Sequence, residues 1–243
     1  MIDQISDKIS DRTVTPYQDS LRGKPHVERQ KKIPRSSDRI SDVQLENKIV
    51  TAIAGFQAWR ETSYAQRAGV LANAAKLMHL RVDDFALPVT SEMGQLYVQS
   101  CGEILLSANI IDYCAQKAQS PATVNKSRSG LRSYVPSSIS GDIEVAGSPV
   151  GIVFGVQPLN FPYYQLARFA APHLMAGNVV MLKHIGCVPL SAIAFERLWL
   201  DAGAPEGAFT NLLVSPEQMH RIIDDPRVRN PGCLNQLTAA RCA

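Results

Sequence analysis

From Ser41 onward, apolar residues fall at helical intervals, with Leu45, Ile49, Ile53, Phe56 and Trp59 on one face. Ser41-x-x-Gln44 has the spacing of a capping box and marks the start. Ser63-x-x-Gln66 opens a second helix, with Leu71, Ala74, Ala75 and Met78 along one side. A third helix is predicted to begin near Asp83 or Asp84. It contains Pro88, whose missing donor strains any turn beyond the first. A fourth is predicted over about Leu96 to Lys117, striped by Cys101, Ile104, Ala108, Ile111 and Ala115. Residues 121–148 turn extended, with LRSYV and IEV as one or two edge strands.

Then the period changes. VGIVFGV (150–156) is an apolar run of strand length, and YYQLARFAAPHLMAG is a helix with Gly177 as its C-terminal cap. VVMLK (179–183) is a second buried strand, and PLSAIAFERLWLDAG a helix framed by Pro189 and Gly203. FTNLLV (209–214) is a third strand, and Ser215-x-x-Gln218 caps a short helix through Ile223. Alternation of apolar strands with helices predicts an α/β fold: a helical layer, then a partial Rossmann-like parallel sheet joined by right-handed crossovers. The expected divisions are a basic tail (1–40), a helical layer (41–120), edge strands (121–148), a βαβαβα core (149–229) and a divergent tail (230–243).

Composition refines this picture. At 45% hydrophobic and 19% charged residues, the chain is of ordinary globular type rather than wholly disordered. No run approaches the length of a membrane span, and the polar opening MIDQISDKISDR fits neither a signal nor a transit peptide. Five cysteines without a CxxC pair point to reduced thiols and a cytoplasmic location rather than to disulfides or zinc. The histidines show no metal spacing. Between Arg22 and Arg39 stand seven basic and two acidic residues, a solvated tail. The same tail read as a nucleic-acid arm is the sharper alternative, but no aromatic is interleaved with its charges.

A doubly wound sheet binds ligands outside the carboxyl ends of its strands. The candidate loops are therefore Gln157-Pro158-Leu159-Asn160-Phe161-Pro162 and the one opening with Lys183-His184-Ile185-Gly186. No GxGxxG or Walker-type loop is present, so spacing alone makes dinucleotide binding plausible and no more. Asn160 between two prolines also suits a stiffened turn, and a strand-end lysine also suits a solvated charge.

The run from Pro149 to Phe209 resembles the amino-terminal half of the NAD(P)-dependent aldehyde dehydrogenases. That family shows a strand leading into Pro-Trp-Asn-Phe-Pro, then an Ala-Gly-Asn-x-Val strand ending in Lys. The upstream segment is similar to the family's helical layer, including a Glu-Met-Gly turn at Glu92, Met93 and Gly94. Lys183-His184, Val188-Pro189 and the run Leu174–Asn178 lean toward its succinate-semialdehyde dehydrogenase branch. The resemblance covers roughly residues 42–229. It implies a cysteine thiolate attacking an aldehyde, the Asn160 amide donating to the resulting oxyanion, and hydride passing to nicotinamide. It further implies that Lys183 reaches the adenosine ribose or its phosphate, with Gln157, Pro158, Leu159, His184, Ile185 and Gly186 beside the cofactor.

Departures shape the expectation. Leu159 replaces the motif tryptophan, and Gly186 stands where NAD-preferring members place a ribose-binding glutamate. A carboxylate there would repel a 2′-phosphate, so NAD(P) is expected, with NADP favoured. After Val228 the family continues toward a Gly-Ser turn, a general-base glutamate and the nucleophilic cysteine, whereas this chain reads RNPGCLNQLTAARCA. Neither Cys233 nor Cys242 stands in the nucleophile's context, and Cys187 falls on the adenosine side. The basic tail replaces the family's opening hairpin. The expectation is an aldehyde-oxidising oxidoreductase of succinate-semialdehyde type, truncated before its nucleophile and inactive alone. A non-catalytic nucleotide-binding or interaction module, and a nucleic-acid binder through the tail, remain the alternatives. A sheet stopping after three strands would leave an apolar edge and invite self-association.

Overall fold

The structure, a computed structural model, describes residues 39–117, 149–158, 160–184 and 188–233, the last four through their backbone alone. The element order is α1 (Asp42–Arg60), α2 (Tyr64–Leu80), α3 (Val82–Met93), α4 (Tyr97–Lys117), β1 (Ile152–Gln157), α5 (Pro162–Met175), β2 (Val179–His184), α6 (Pro189–Asp201), β3 (Phe209–Asn211), α7 (Pro216–Asp224) and β4 (Val228–Cys233). The edge strands expected within 121–148, and almost all of the tail expected over 1–40, lie outside the described residues. Ile40, expected at the end of that tail, instead donates its N–H to Leu213 O at 3.1 Å.

The expected capping boxes form at Ser41/Gln44, Ser63/Gln66 and Ser215/Gln218, each with both reciprocal hydrogen bonds. α3 starts one residue before the earlier of the two expected positions, because Arg81 serves as both the C-cap of α2 and the N-cap of α3. Pro88 then falls in its second turn without ending it, and the helix runs on to a left-handed Gly94.

The sheet has four parallel strands in the order β3-β2-β1-β4, not the three expected. β4 pairs with β1, matching Ile152 with Val228 and Val156 with Cys233. The strand therefore runs past the expected boundary at 229 and covers the edge of β1 that three strands would have left open. Pro231 obscured this from the sequence, since proline cannot donate to a ladder. The register accommodates it with an irregularity between Val153 and Gly155. β3 is shorter than expected: beyond Asn211, Leu212 N still donates to Leu182 O at 2.8 Å, but Leu213 O turns to Ile40.

Right-handed crossovers from β1 to β2 to β3 put α5 and α6 on one face of the sheet. The return from β3 to β4 puts α7 on the other. α1 joins α7 there: Asp42 accepts from Gln218 and Arg221, and Glu46 pairs with Arg227 at 2.6 Å. α4 packs against α2, α3 and α5, outside the crossover helices. One apolar cluster joins these layers, including Trp59 from α1, Met78 from α2, Ile104 from α4, Phe154 from β1 and Trp199 from α6. At Gly155 the sheet and α5 approach so closely that a Cβ would lie 2.5 Å from the Phe169 ring. Strand order reverses at β1, so the ligand crevice of this topology opens at the carboxyl end of that strand.

Candidate functional site

β1 ends on Gln157 and β2 on His184, and the two residues are register partners; Val156 and Lys183 are the pair before them. The two candidate loops therefore leave the sheet side by side, at the switch point. Gln157 is buried, and neither atom of its amide has a hydrogen-bond partner among the described residues. At the end of β3, Asn211 is also buried, with its Oδ1 unpartnered there and its N–H held by Glu196 at 3.0 Å. A sheet mouth with unmet buried amide groups suits a polar ligand that hydrogen-bonds on two sides.

Past Gln157 the chain passes half-buried Pro158 to an exposed Asn160. Asn160 immediately precedes Phe161, the only non-glycine residue with positive φ among the described residues, at 52°. Pro162 then opens α5. Leu159, expected against the cofactor, lies outside the described residues, as do Ile185, Gly186 and Cys187.

Lys183 is half-buried at the end of β2. Burial lowers the pKa of its ammonium group, and the nearby Arg39 guanidinium lowers it further. The Arg39 charge is thus felt at Lys183 where β2 leaves the sheet, a positive environment that suits a phosphate. Arg39, assigned by charge pattern to the tail, belongs to this neighbourhood. His184 is buried, and desolvation holds its imidazole at about 4, with the Pro162 backbone opposing and the Lys183 charge reinforcing that shift.

Both crossover helices that open here have their N-termini filled. Glu103 Oε1, from α4, accepts from Tyr163 N at 2.8 Å and Tyr164 N at 3.3 Å. Glu92, from α3, accepts from Leu190 N at 2.5 Å, Ser191 N at 3.1 Å and Ser191 Oγ at 2.6 Å. Desolvation raises both carboxyl groups, although these hydrogen bonds pull the other way. Carboxylates thus already take the helix N-terminal N–H groups that a pyrophosphate would otherwise use. Neither glutamate stood out as functional in the sequence, although one signal was legible. The N-cap positions of α5 and α6 are Phe161 and Val188, and neither side chain can cap.

The cysteines with described side chains, Cys101 and Cys114, are half-buried on α4, and burial pushes the Cys114 thiol up. Neither belongs to the strand-end loops. Among the described residues no cluster of metal-binding side chains occurs, and no helix is long and apolar enough to cross a membrane.

Comparison with known proteins agrees with this geometry. The model of the aldehyde dehydrogenase family matches residues 28–230. The chain is 37% identical over 184 residues to a succinate-semialdehyde dehydrogenase (NADP(+)) of Deinococcus radiodurans, covering 74% of this chain and 36% of the relative. It is 35% identical over 189 residues to a probable succinate-semialdehyde dehydrogenase (NADP(+)) of Synechocystis, covering 78% of this chain and 40% of the relative. The chain thus spans well under half the length of these relatives. Among solved structures, the succinic semialdehyde dehydrogenase from Streptococcus pyogenes in complex with NADP+ superposes with a TM-score of 0.66 at 31% identity. That match covers 79% of this chain and 40% of that one.

Proposed function

Because the chain belongs to the aldehyde dehydrogenase family, we propose that it forms the cofactor half of a dehydrogenase of succinate-semialdehyde type. In this reading the crevice at the ends of β1 and β2 holds NADP, and Asn160 faces the carbonyl oxygen of the aldehyde. The observation that carries it is the register pairing of Gln157 with His184 at the switch point, which sets the Asn160 loop beside the Lys183 strand end. The residues present fit the cofactor. Gln157 and Asn211 offer unmet amide groups, and the Lys183–Arg39 pair offers positive charge to a 2′-phosphate. The names of the curated relatives point the same way.

When bound, the cofactor supplies the hydride acceptor. The chain's own contribution is binding and orientation: Lys183 draws the adenosine end to β2, and the Asn160 amide donates to the oxygen that gains negative charge. Removing one such donor costs about 10²–10³ in rate. The two cysteines with described side chains, Cys101 and Cys114, both lie on α4, outside the strand-end loops. We infer that the described residues bind NADP and orient the aldehyde rather than supply the attacking thiol. The two described free thiols, Cys101 and Cys114, accord with a cytoplasmic setting.

Titration of this polypeptide with NADP and NAD, followed calorimetrically, tests the reading. NADP is expected to bind more tightly, and Lys183→Ala to weaken NADP about tenfold or more, consistent with the loss of a charged hydrogen bond. Absence of NADP binding would remove the proposal.

A further inference from the structure

α5 begins without a cap of its own. Phe161, at the N-cap position, has φ 52°, and its apolar side chain is exposed and has no acceptor. A bulky residue in that region is strained, and such a conformation persists only where its surroundings over-determine it. Three anchors do so here. Pairing with His184 fixes Gln157 on the strand side. On the helix side, Phe161 O accepts from Gln165 N at 3.0 Å. The third anchor is a side chain from another layer, Glu103, which takes the N–H groups of Tyr163 and Tyr164 on one carboxylate oxygen. Asn160 is suspended between the first anchor and the other two.

We propose that Glu103 is a positioning residue: by holding the Tyr163 and Tyr164 amides it locks the strained Phe161 turn and so aims the Asn160 side chain at the aldehyde oxygen. The inference deepens the reading of Asn160 as an oxyanion donor and rests on it. Three features support the assignment. Glu103 is only 5% exposed, so it cannot exchange these donors for water. Its carboxylate occupies the positive end of α5, so the Tyr163 and Tyr164 amides are already taken and the side-chain amides of Asn160 and Gln157 are the donors left at this corner. The other groups around it are fixed as well: Glu92 is held on α6, and the fully buried Tyr163 ring packs edge-on to Phe85 and Phe195.

The test uses the 243-residue chain labelled with ¹⁵N, in wild type and in Glu103→Ala, Glu103→Gln and Glu103→Asp variants. The side-chain amide of Asn160 is assigned by its loss in Asn160→Asp. In Glu103→Ala, the Tyr163 and Tyr164 amides are expected to exchange about ten- to a hundredfold faster, the loss of a hydrogen bond to a charged group. The Asn160 amide signal is expected to move to the position of a freely rotating side chain while signals from β2 and β3 stay in place. Glu103→Gln keeps an acceptor at the same reach and is expected to restore both readings. A merely structural role would speed exchange across β2 and β3 as well.

An unmoved Asn160 signal in folded Glu103→Ala, or failure of Glu103→Gln to restore it, would overturn the proposal. If Glu103→Ala does not fold, Glu103→Asp decides, since its carboxylate falls one carbon short of the two amides. Loss of the ordered Asn160 signal supports the proposal, and an unmoved signal overturns it. NADP titration of the same samples separates the two readings. Absent binding with a responsive Asn160 removes the cofactor assignment alone, and intact binding with an indifferent Asn160 removes the positioning role alone.

Discussion

His184 closes β2 with an imidazole that is almost entirely removed from solvent, and its low pKa makes a definite statement about stability. The ring titrates at 6.5 when unfolded and at about 4 when folded. Above 6.5 neither state is protonated, and the folded chain keeps its full stability. As pH falls from 6.5 toward 4, the unfolded chain binds a proton that the folded chain refuses, so stability is lost. The drop amounts to about 3 kcal/mol if the whole window is crossed. Urea unfolding between pH 4 and 7 is expected to show it, and His184→Gln is expected to flatten that part of the profile; an equally steep profile in the variant would refute the account. Glu92 behaves with the opposite sign. Its folded pKa is raised by burial, so the folded chain holds a proton more readily than the unfolded one. Its contribution is fully present below the unfolded pKa and is lost as pH rises through the folded value. Wild type is therefore expected to compare best with Glu92→Gln in acid and to lose ground steadily toward neutrality. A gap between the two midpoints that does not vary with pH would contradict this.

The helix α5 is gripped at both ends by side chains from other helices. Glu103 takes its first amides, while its last carbonyls go to Arg67 and Trp59. Arg67 Nε donates to Met175 O at 3.0 Å and Nη1 to Thr62 O at 2.6 Å, and Trp59 Nε1 donates to Leu174 O at 2.9 Å. Acid at the N-terminus and guanidinium at the C-terminus both suit the helix dipole. Arg67 is itself buried and stacks 4.6 Å from the Tyr64 ring centroid. Arg67→Met is expected to cost about 2–4 kcal/mol, since two carbonyls lose a charged donor. Arg67→Lys is expected to recover little, because one ammonium cannot reproduce the fork. Trp59→Phe is expected to cost about 1 kcal/mol, for a single neutral hydrogen bond. Chemical denaturation of the three variants measures all of this, and full recovery in Arg67→Lys would contradict the bidentate argument. These braces also mark the limit of what the sequence revealed. The caps of α1, α2 and α7 lie three residues apart on one segment and were legible as capping boxes. Those of α5 and α6 come from about sixty and a hundred residues away, a separation that no local pattern can express. Asn160 and Lys183 were likewise visible as strand-end residues, whereas the hydrogen bonds of Glu103 to the helix that follows Asn160 were not.

For the molecule as a whole, alternation of apolar strands and helices predicted the parallel sheet, and only its fourth strand went unread. β4 carries Pro231 and Gly232 among polar residues, so its strand character comes from the open side of β1 rather than from its own propensities. That strand changes the expectation for behaviour in solution. β4 covers the β1 edge on which the expectation of self-association rested, and among the described residues the helical layers and sheet share one core. The two tryptophans report on it from opposite positions: Trp59 lies in α1 and Trp199 in α6, 2% and 1% exposed. If the core is continuous, both must lose their surroundings in the same event, since neither helix can bury its apolar face without the sheet. Trp59→Phe and Trp199→Phe each leave a single reporter. After allowance for the stability each substitution costs, the fluorescence midpoint in each variant is expected to coincide with its own far-ultraviolet circular dichroism midpoint. Separate midpoints within one variant would mean that the helical layer and the sheet unfold independently. In that case Glu103 and Glu92 could not hold the crossover helices in register with the loops they brace.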